Sequence, residues 1–362
     1  MARFLQLHIL TPYPASNPNR DDLGRPKSMI LGGVPRMRMS SQAIKRSIRT
    51  HEAFTQPLTG NLGERTQRMG QVLRQALLDK GADEDKAVEI AREVAGVFGK
   101  LKGEKDANPT YTEQLAFISP QERQIATDIA LRKLAGEKLP KEKELAKTVF
   151  LKADGAVDIA MFGRMLADNP DFNRDAAVQV AHAFTTSRAE VEDDFYTAVD
   201  DLKRPSEDAG AGFVGEAGFG AGIFYLYICA DLELLAENLD GDRELAARAV
   251  EALVRTVCVA SPSGKKNSFA NHVKAEFILA ELGDAQPRTL AGAFTRPVEG
   301  RDHTAASVEA LLAKREAFAK AYGRDWASEC CLQVGDADSA TLDELAAFAA
   351  SGVTEGAEAG AA

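Results

Sequence analysis

Apolar and polar positions change period along this chain, and the changes divide it. Residues 3–11 are rich in β-forming side chains and stop at a loop carrying Pro12 and Pro14, so a first strand is expected there. From about residue 61 to 152 the period lengthens to that of a helix. Apolar residues recur at Met69, Val72, Leu73, Ala76 and Leu77 within residues 64–80, and at Val88, Ala91, Val94 and Val97 within residues 83–102. Ser119 and Pro120 mark the start of a third helix as N-cap and first helical residue, running to about Ala135. Alternation returns at residues 157–165, which read as a strand leading into a loop, and residues 175–184 read as a short amphipathic helix. Beyond them, strands are expected at 196–202, 223–230, 273–282 and 328–334, and helices at 244–257 and 307–321. With a helix in the forties this gives a β-α-β-β-α-β order. The expected fold is α+β: a ferredoxin-like, RRM-like palm interrupted by a helical insertion.

Composition adds little until charge is localised. Hydrophobic content of 45% and charged content of 27% over 362 residues are those of a folding chain with an ample core. The formal net charge of −10 argues against indiscriminate nucleic-acid binding. Residues 23–51, however, hold seven Lys or Arg and no acid, and removing those seven charges leaves −17 for the rest. A focused cationic patch on an acidic body suits a defined polyanion track. Cys229, Cys258, Cys330 and Cys331 lack metal-ligand spacing and read as reduced core thiols. The first residues, MARFLQLHILTP, are too short and too polar for a signal peptide or a membrane span, so a cytoplasmic protein with no membrane partner is expected.

Within the patch, GGVPRMRMSSQAIKRSIR at residues 32–49 joins a basic strand to a helix. With Ser40 or Ser41 as N-cap, an advance of about 100° per residue puts Gln42, Lys45, Arg46 and Arg49 on one face and Ala43, Ile44, Ser47 and Ile48 on the other. Ser40, Ser41 and Gln42 would offer free backbone N–H groups and the positive dipole end to a phosphate. A solvated basic face is the competing reading. The polar loop before it carries Arg20, Asp21, Asp22 and Lys27. Asp21 and Asp22 could pair on a metal, yet they fit turn and capping roles better. His8 and His182 read as structural, since no nucleophile is spaced to use them.

GAGFVG at residues 210–215 matches G-x-G-x-x-G. Its context is wrong for a dinucleotide: a polar turn precedes it and the β-rich IFYLYI follows. A long mobile hairpin at residues 193–222 is expected instead. Met165, at the end of the 157–165 run, is either core or exposed. Ser261 to Lys266 forms a glycine loop whose Lys265 and Lys266 are either solvated or ligand-bound, and the acidic tail from Ser351 is expected to be disordered.

Several blocks together resemble the CasC family: NRDD at residues 19–22, GG-x-x-R-x-R-x-SSQ-x-x-KR-x-x-R at 32–49, VDIAMFGRM at 157–165, AHAFTT at 181–186, TAVDDL at 197–202 and FGAGIFYLY at 219–227. That family is the RNA-coating backbone subunit of the type I-E CRISPR surveillance complex, Cascade. The resemblance covers about the first two thirds of the chain and implies a palm at 1–58, 153–192 and 223–350, a helical finger at 59–152 and a thumb hairpin at 193–222. It implies the partners as well: crRNA, target DNA through guide pairing, neighbouring copies of the chain and other Cascade subunits. RNA contacts would fall on Arg20, Lys27, Ser40, Ser41, Gln42, Lys45, Arg46, Arg49, Arg164, Met165, Tyr196, Thr197, Lys265 and Lys266. Met165 would wedge against a displaced base, and Tyr196 and Thr197 would pack beside the kinked RNA.

Two functions are thus expected in order. The first is a non-catalytic RNA-binding subunit without cofactor or metal; the second is a metal-dependent nuclease or phosphotransferase built on Asp21 and Asp22. The chain has no H-x-x-H, no triad of acids and no P-loop to support the second.

Overall fold

The computed structural model describes residues 3–150, 155–166, 169–198 and 213–354. Two compact units emerge: Met1–Phe54, Val180–Cys229 and Val250–Ala362 form the first, and Thr55–Gln179 with Ala230–Ala249 the second. The α+β expectation holds, with a largely antiparallel sheet and a block of helices.

In the first unit the sheet runs in the order Ser328–Gln333, Phe277–Gly283, Phe4–Ser16 (β1), Phe213–Asp231, Ala183–Thr185, Val34–Met39 and Ser28–Leu31. β1 is longer than expected, continuing through both prolines. One face of the sheet buries Leu10, Tyr225, Phe277 and Leu279 with Val308 and Leu311 of the helix His303–Tyr322. Burying such side chains contributes about 1.5–3 kcal/mol each. His8 lies in this interior, fully buried, between Tyr225 and Glu281, which is the structural place expected of it.

The main apolar cluster of the second unit forms among the helices Met69–Asp79, Glu84–Ala95, Pro120–Leu134 and Glu142–Val149. Their buried stripe includes Leu73, Leu77, Ile90, Ala91, Val94, Ile129 and Val149. Ser119 caps the third through a full capping box, its hydroxyl accepting from the Glu122 N–H while the Glu122 carboxylate accepts from the Ser119 N–H. The first helix starts later than its sequence pattern suggests, because Glu64–Thr66 pairs as a strand with Ala116–Ile118.

Three local expectations fail. Val157–Phe162 is a helix, not a strand. Val157 to Met161 are buried one after another, so no polar face exists to reveal the period; the Asp158 carboxylate accepts the Gly63 N–H at 2.7 Å. The amphipathic helix read at 175–184 is extended, as Val178–Val180 and Ala183–Thr185, because sheet pairing of Phe184 with Tyr225 and of Thr185 with Phe224 overrides local pattern. The tail read as disordered from Ser351 instead continues the helix Leu342–Thr354; the rest of that expectation lies outside the described residues.

The hairpin expected at 193–222 is present in its described arms. Glu192–Ala198 pairs antiparallel with the start of Phe213–Asp231, Tyr196 opposite Gly215 and Thr197 opposite Val214. The strand Phe213–Asp231 takes in the second half of the glycine motif and continues beyond it, as expected of a hairpin and not of a dinucleotide site. Residues 199–212, which include the first half of that motif and the expected tip, lie outside the described residues. The four cysteines are free; Cys229 and Cys258 are buried, while Cys330 and Cys331 are half-buried on the edge strand, less enclosed than a core role requires. Among the described residues no helix is long and apolar enough to cross a membrane.

Candidate nucleic-acid interface

The basic run forms the strand Val34–Met39 (β3) and the helix Ser41–Thr50 (α1), with Ser40 as N-cap accepting from the Ala43 N–H at 3.3 Å. Ile44 and Ile48 are buried and hold the helix to the unit. Ser40 is itself buried, and its own N–H donates to the Asn19 side chain at 2.8 Å. Ser41 and Gln42 remain at the helix start, with Gln42 exposed.

A cleft of about 700 Å³ opens beside this helix. Ala43, Arg46, Ser47 and Thr50 of α1 form one wall, Pro18 to Asp22 another, and Ser261 to Gly264 with Lys266 a third. Arg20, Arg46 and Lys266 supply its cations, Ser47, Thr50, Ser261 and Ser263 its hydroxyls, and His51 its imidazole. The glycine loop reaches this position because Gly264 has no side chain: a Cβ there would lie 2.4 Å from the Pro18 carbonyl oxygen. Lys265 takes the left-handed conformation, φ 50°, and its neighbour Lys266 faces the cleft while Lys265 lines a second pocket of about 400 Å³ with Arg20, Arg25 and Asp193.

The helix thus divides its cations differently from the two-face reading. Arg46 joins Ala43 and Ser47, which that reading puts on the packing side, whereas Lys45 and Arg49 are half-buried and line no part of this cleft. The stripe Ala43, Arg46, Ser47, Thr50 has the i, i+3, i+4, i+7 spacing of one helical face. That spacing is present in the sequence, hidden when charge alone is followed.

Asp21 is committed to the turn. Its Oδ1 accepts from the N–H groups of Leu23 at 3.0 Å and Arg25 at 2.9 Å, an Asx-type arrangement that rigidifies the loop. Lys27 is half-buried and stands near Arg38 and His182. Arg38 donates to His182 Nδ1 at 2.8 Å, and partial burial with the two nearby cations holds this imidazole below its ordinary pKa.

In the second unit the structure withdraws Arg164 from the surface. Its guanidinium is buried against the Glu122 carboxylate, at 2.6 Å and 2.9 Å, donates to the Phe117 carbonyl, and lies over the Phe150 ring. An RNA contact expected of it is replaced by an internal ion pair. Met165, the next residue, is the opposite: 85% exposed, it lines a small cleft with Val97, Phe98 and an exposed Leu115. Leu115 carried no signal in the sequence. On the hairpin, Phe195 and Tyr196 are exposed on opposite sides of the strand, Thr197 following them.

Fold and site define an α+β chain whose antiparallel sheet presents a hydroxyl-lined cationic cleft beside a two-stranded hairpin. A family model described as CT1975-like protein matches residues 5–354, and the chain belongs to that family. The resemblance to CasC backbone subunits read from its motifs is borne out at this level. Among solved structures, the chain is similar to one of the "CRISPR RNA-guided surveillance complex, pre-nicking", with a TM-score of 0.84, 30% identity, and 96% of this chain and 100% of that one covered. It is similar as well to a chain of a "CRISPR RNA-guided surveillance complex", with a TM-score of 0.71, 28% identity, and 97% and 99% covered. None of the curated proteins matches it.

Proposed function

We propose that this chain is a non-catalytic RNA-binding backbone subunit of a type I-E CRISPR surveillance complex, copies of which assemble side by side along crRNA and present it for pairing with target DNA. The observation that carries this reading is the cleft beside α1, where Arg20, Arg46 and Lys266 converge among serine and threonine hydroxyls. Such a lining suits phosphodiester oxygens and ignores base identity, which leaves sequence recognition to the guide. Met165 and Tyr196, apolar or aromatic and exposed, suit contact with unstacked bases. The likeness over nearly the full chain to members of RNA-guided surveillance complexes supports the same reading and makes other Cascade subunits the expected partners. Asp21, whose Oδ1 accepts from two backbone N–H groups, fits a role in the loop. Target cleavage then falls to a separate helicase-nuclease, and the assembly works in the cytoplasm.

The test is RNA binding by the purified protein across salt concentrations, with two unrelated sequences of equal length. Equal affinities are expected, and Arg46→Ala should weaken both alike and flatten the log–log salt slope by about 0.7, the value for removing a single phosphate interaction from a single strand. Sequence-dependent affinity, or an unchanged slope in folded Arg46→Ala, overturns the reading. Divalent-metal-dependent RNA cleavage abolished by Asp21→Ala or Asp22→Ala would install the nuclease in its place.

A further inference from the structure

The loop at residues 17–26 belongs to two features at once. Pro18 to Asp22 and Gly24 line the cationic cleft, and Arg20, Leu23, Gly24 and Arg25 line the second pocket against the hairpin residues Asp193, Glu216, Ala217 and Gly218. Asn17 is 1% exposed, and its Nδ2 donates to the Gly24 carbonyl at 3.0 Å and to the Gly218 carbonyl at 2.8 Å, so one buried amide joins the loop to the hairpin strand. Gly218 sits so near the loop that a Cβ there would come within 3.1 Å of Pro26 Cδ. Further out, Arg25 Nη2 donates to both Asp193 carboxylate oxygens, at 2.8 Å and 3.0 Å. On the other side, Asn19 accepts from the Ser40 N–H at the start of α1, and Asp21 stiffens the turn between. A chain of short, directional bonds therefore runs from the helix N-cap through the loop to the hairpin.

We propose that residues 17–26 are a strut through which the cleft and the hairpin set each other's position, with Arg25 and Asp193 as positioning residues for RNA binding. The proposal rests on the cleft being a phosphate track. A phosphate held by Arg20 and Arg46 fixes the loop that holds the hairpin, and a seated hairpin in turn fixes Arg20; the coupling is reciprocal by linkage. The described arms, residues 192–198 and 213–219, contain four acids and no Lys or Arg, so their affinity for a polyanion cannot come from charge. Placement by Arg25 supplies what charge does not.

The strut predicts an unusual sign. Removing an acid beside a nucleic-acid track ordinarily eases repulsion and tightens binding. Here Asp193→Ala is expected to weaken binding of the same fixed-length RNAs by about two- to fivefold, the range of an exposed ion pair. Its salt slope should not change, because every phosphate keeps its cation. Arg25→Ala should match it in both respects, the double variant should be no worse than either single, and the charge swap Arg25→Asp with Asp193→Arg should return to within about twofold of wild type. All four variants alter an exposed pair, and circular dichroism with thermal melting checks their fold. If Asp193→Ala binds as tightly as wild type or more tightly, or if Arg25→Ala alone lowers the slope by about 0.7, the strut is overturned. Wild-type protein with normal Arg46 dependence in that case leaves the RNA-binding reading standing. A wild-type protein that binds no RNA defeats both.

Discussion

The cleft beside α1 and the interior beneath the strand Phe277–Gly283 use the same residue types for opposite ends. In the cleft, Arg20, Arg46 and Lys266 line a space open to solvent, among hydroxyls and beside Asp21 and Asp22. In the interior, Glu281 is fully buried and accepts from Arg315 Nε at 2.7 Å, from both Arg288 terminal nitrogens and from His8. Trp326 lies under this group, its ring 3.8 Å from the Arg315 guanidinium carbon. Burial removes the water that would otherwise solvate each charge, so a guanidinium there needs protein partners in its place: carboxylates for Arg288 and Arg315, and the backbone carbonyls of Thr185, Thr186 and Phe294 for the buried Arg36. Water in the cleft makes no such demand, and its cations stay available to a ligand. Burial decides the role of an arginine, and the residue's identity does not.

The comparison breaks first at Glu281. Glu281→Ala takes from Arg288 and Arg315 the buried carboxylate they share, leaving them to Asp325 and Glu329 nearer the surface, and takes from His8 its acceptor; chemical denaturation should show a loss of up to about 5 kcal/mol, the upper end for breaking a buried pair, and RNA affinity per folded molecule should not change. Arg164→Ala in the second unit takes from the buried Glu122 carboxylate the guanidinium that faces it and should cost about 3 kcal/mol by the same measurement. Were Arg164 a surface RNA contact, stability would hold and the salt slope would fall instead.

A smaller effect follows from His8. Burial pushes its pKa below the ordinary 6.5, so it stays neutral: Nε2–H donates to Glu281, which can only accept, and Nδ1 accepts from the Tyr225 hydroxyl. As pH falls below 6.5 the unfolded chain gains this proton and the folded chain does not. Stability should therefore drop by at most about 1.4 kcal/mol per pH unit from that group. His8→Gln should flatten this part of the profile. Glu281 acts in a lower window. Burial alone would raise its carboxyl, but hydrogen bonds from His8 and Arg288 outweigh that and hold it far below its ordinary 4.5, so its share of stability is complete above 4.5 and is lost as pH falls toward the depressed value. The smallest effect separates two neighbours on one helix: Lys45→Ala should change the RNA salt slope by less than the roughly 0.7 expected of Arg46→Ala, because only Arg46 lines the cleft.

Much of this was legible in the order of residues. The capping box at Ser119 and Glu122, the apolar stripes of the helices, the Ser40 cap and the turn at Asp21 depend on neighbours within a few positions, and local chemistry specifies them. The motif blocks were enough to place the chain in its family. What stayed hidden depends on partners far away in sequence. Val157–Phe162 showed no helical period because tertiary packing buries its consecutive residues. Residues 175–184 became strands because Tyr225 and Phe224 offered a sheet edge. Arg164 and Met165 are adjacent, and the sequence put both at the RNA; only the fold buries one against Glu122 and leaves the other 85% exposed. The cleft itself joins residues 18–24, 43–51 and 261–266, and its third wall comes close only because Gly264 lets two loops touch. Local order determined the elements and the supply of cations, while burial and long-range contact decided which cations face water, since desolvation is a property of the folded surroundings and not of the residue.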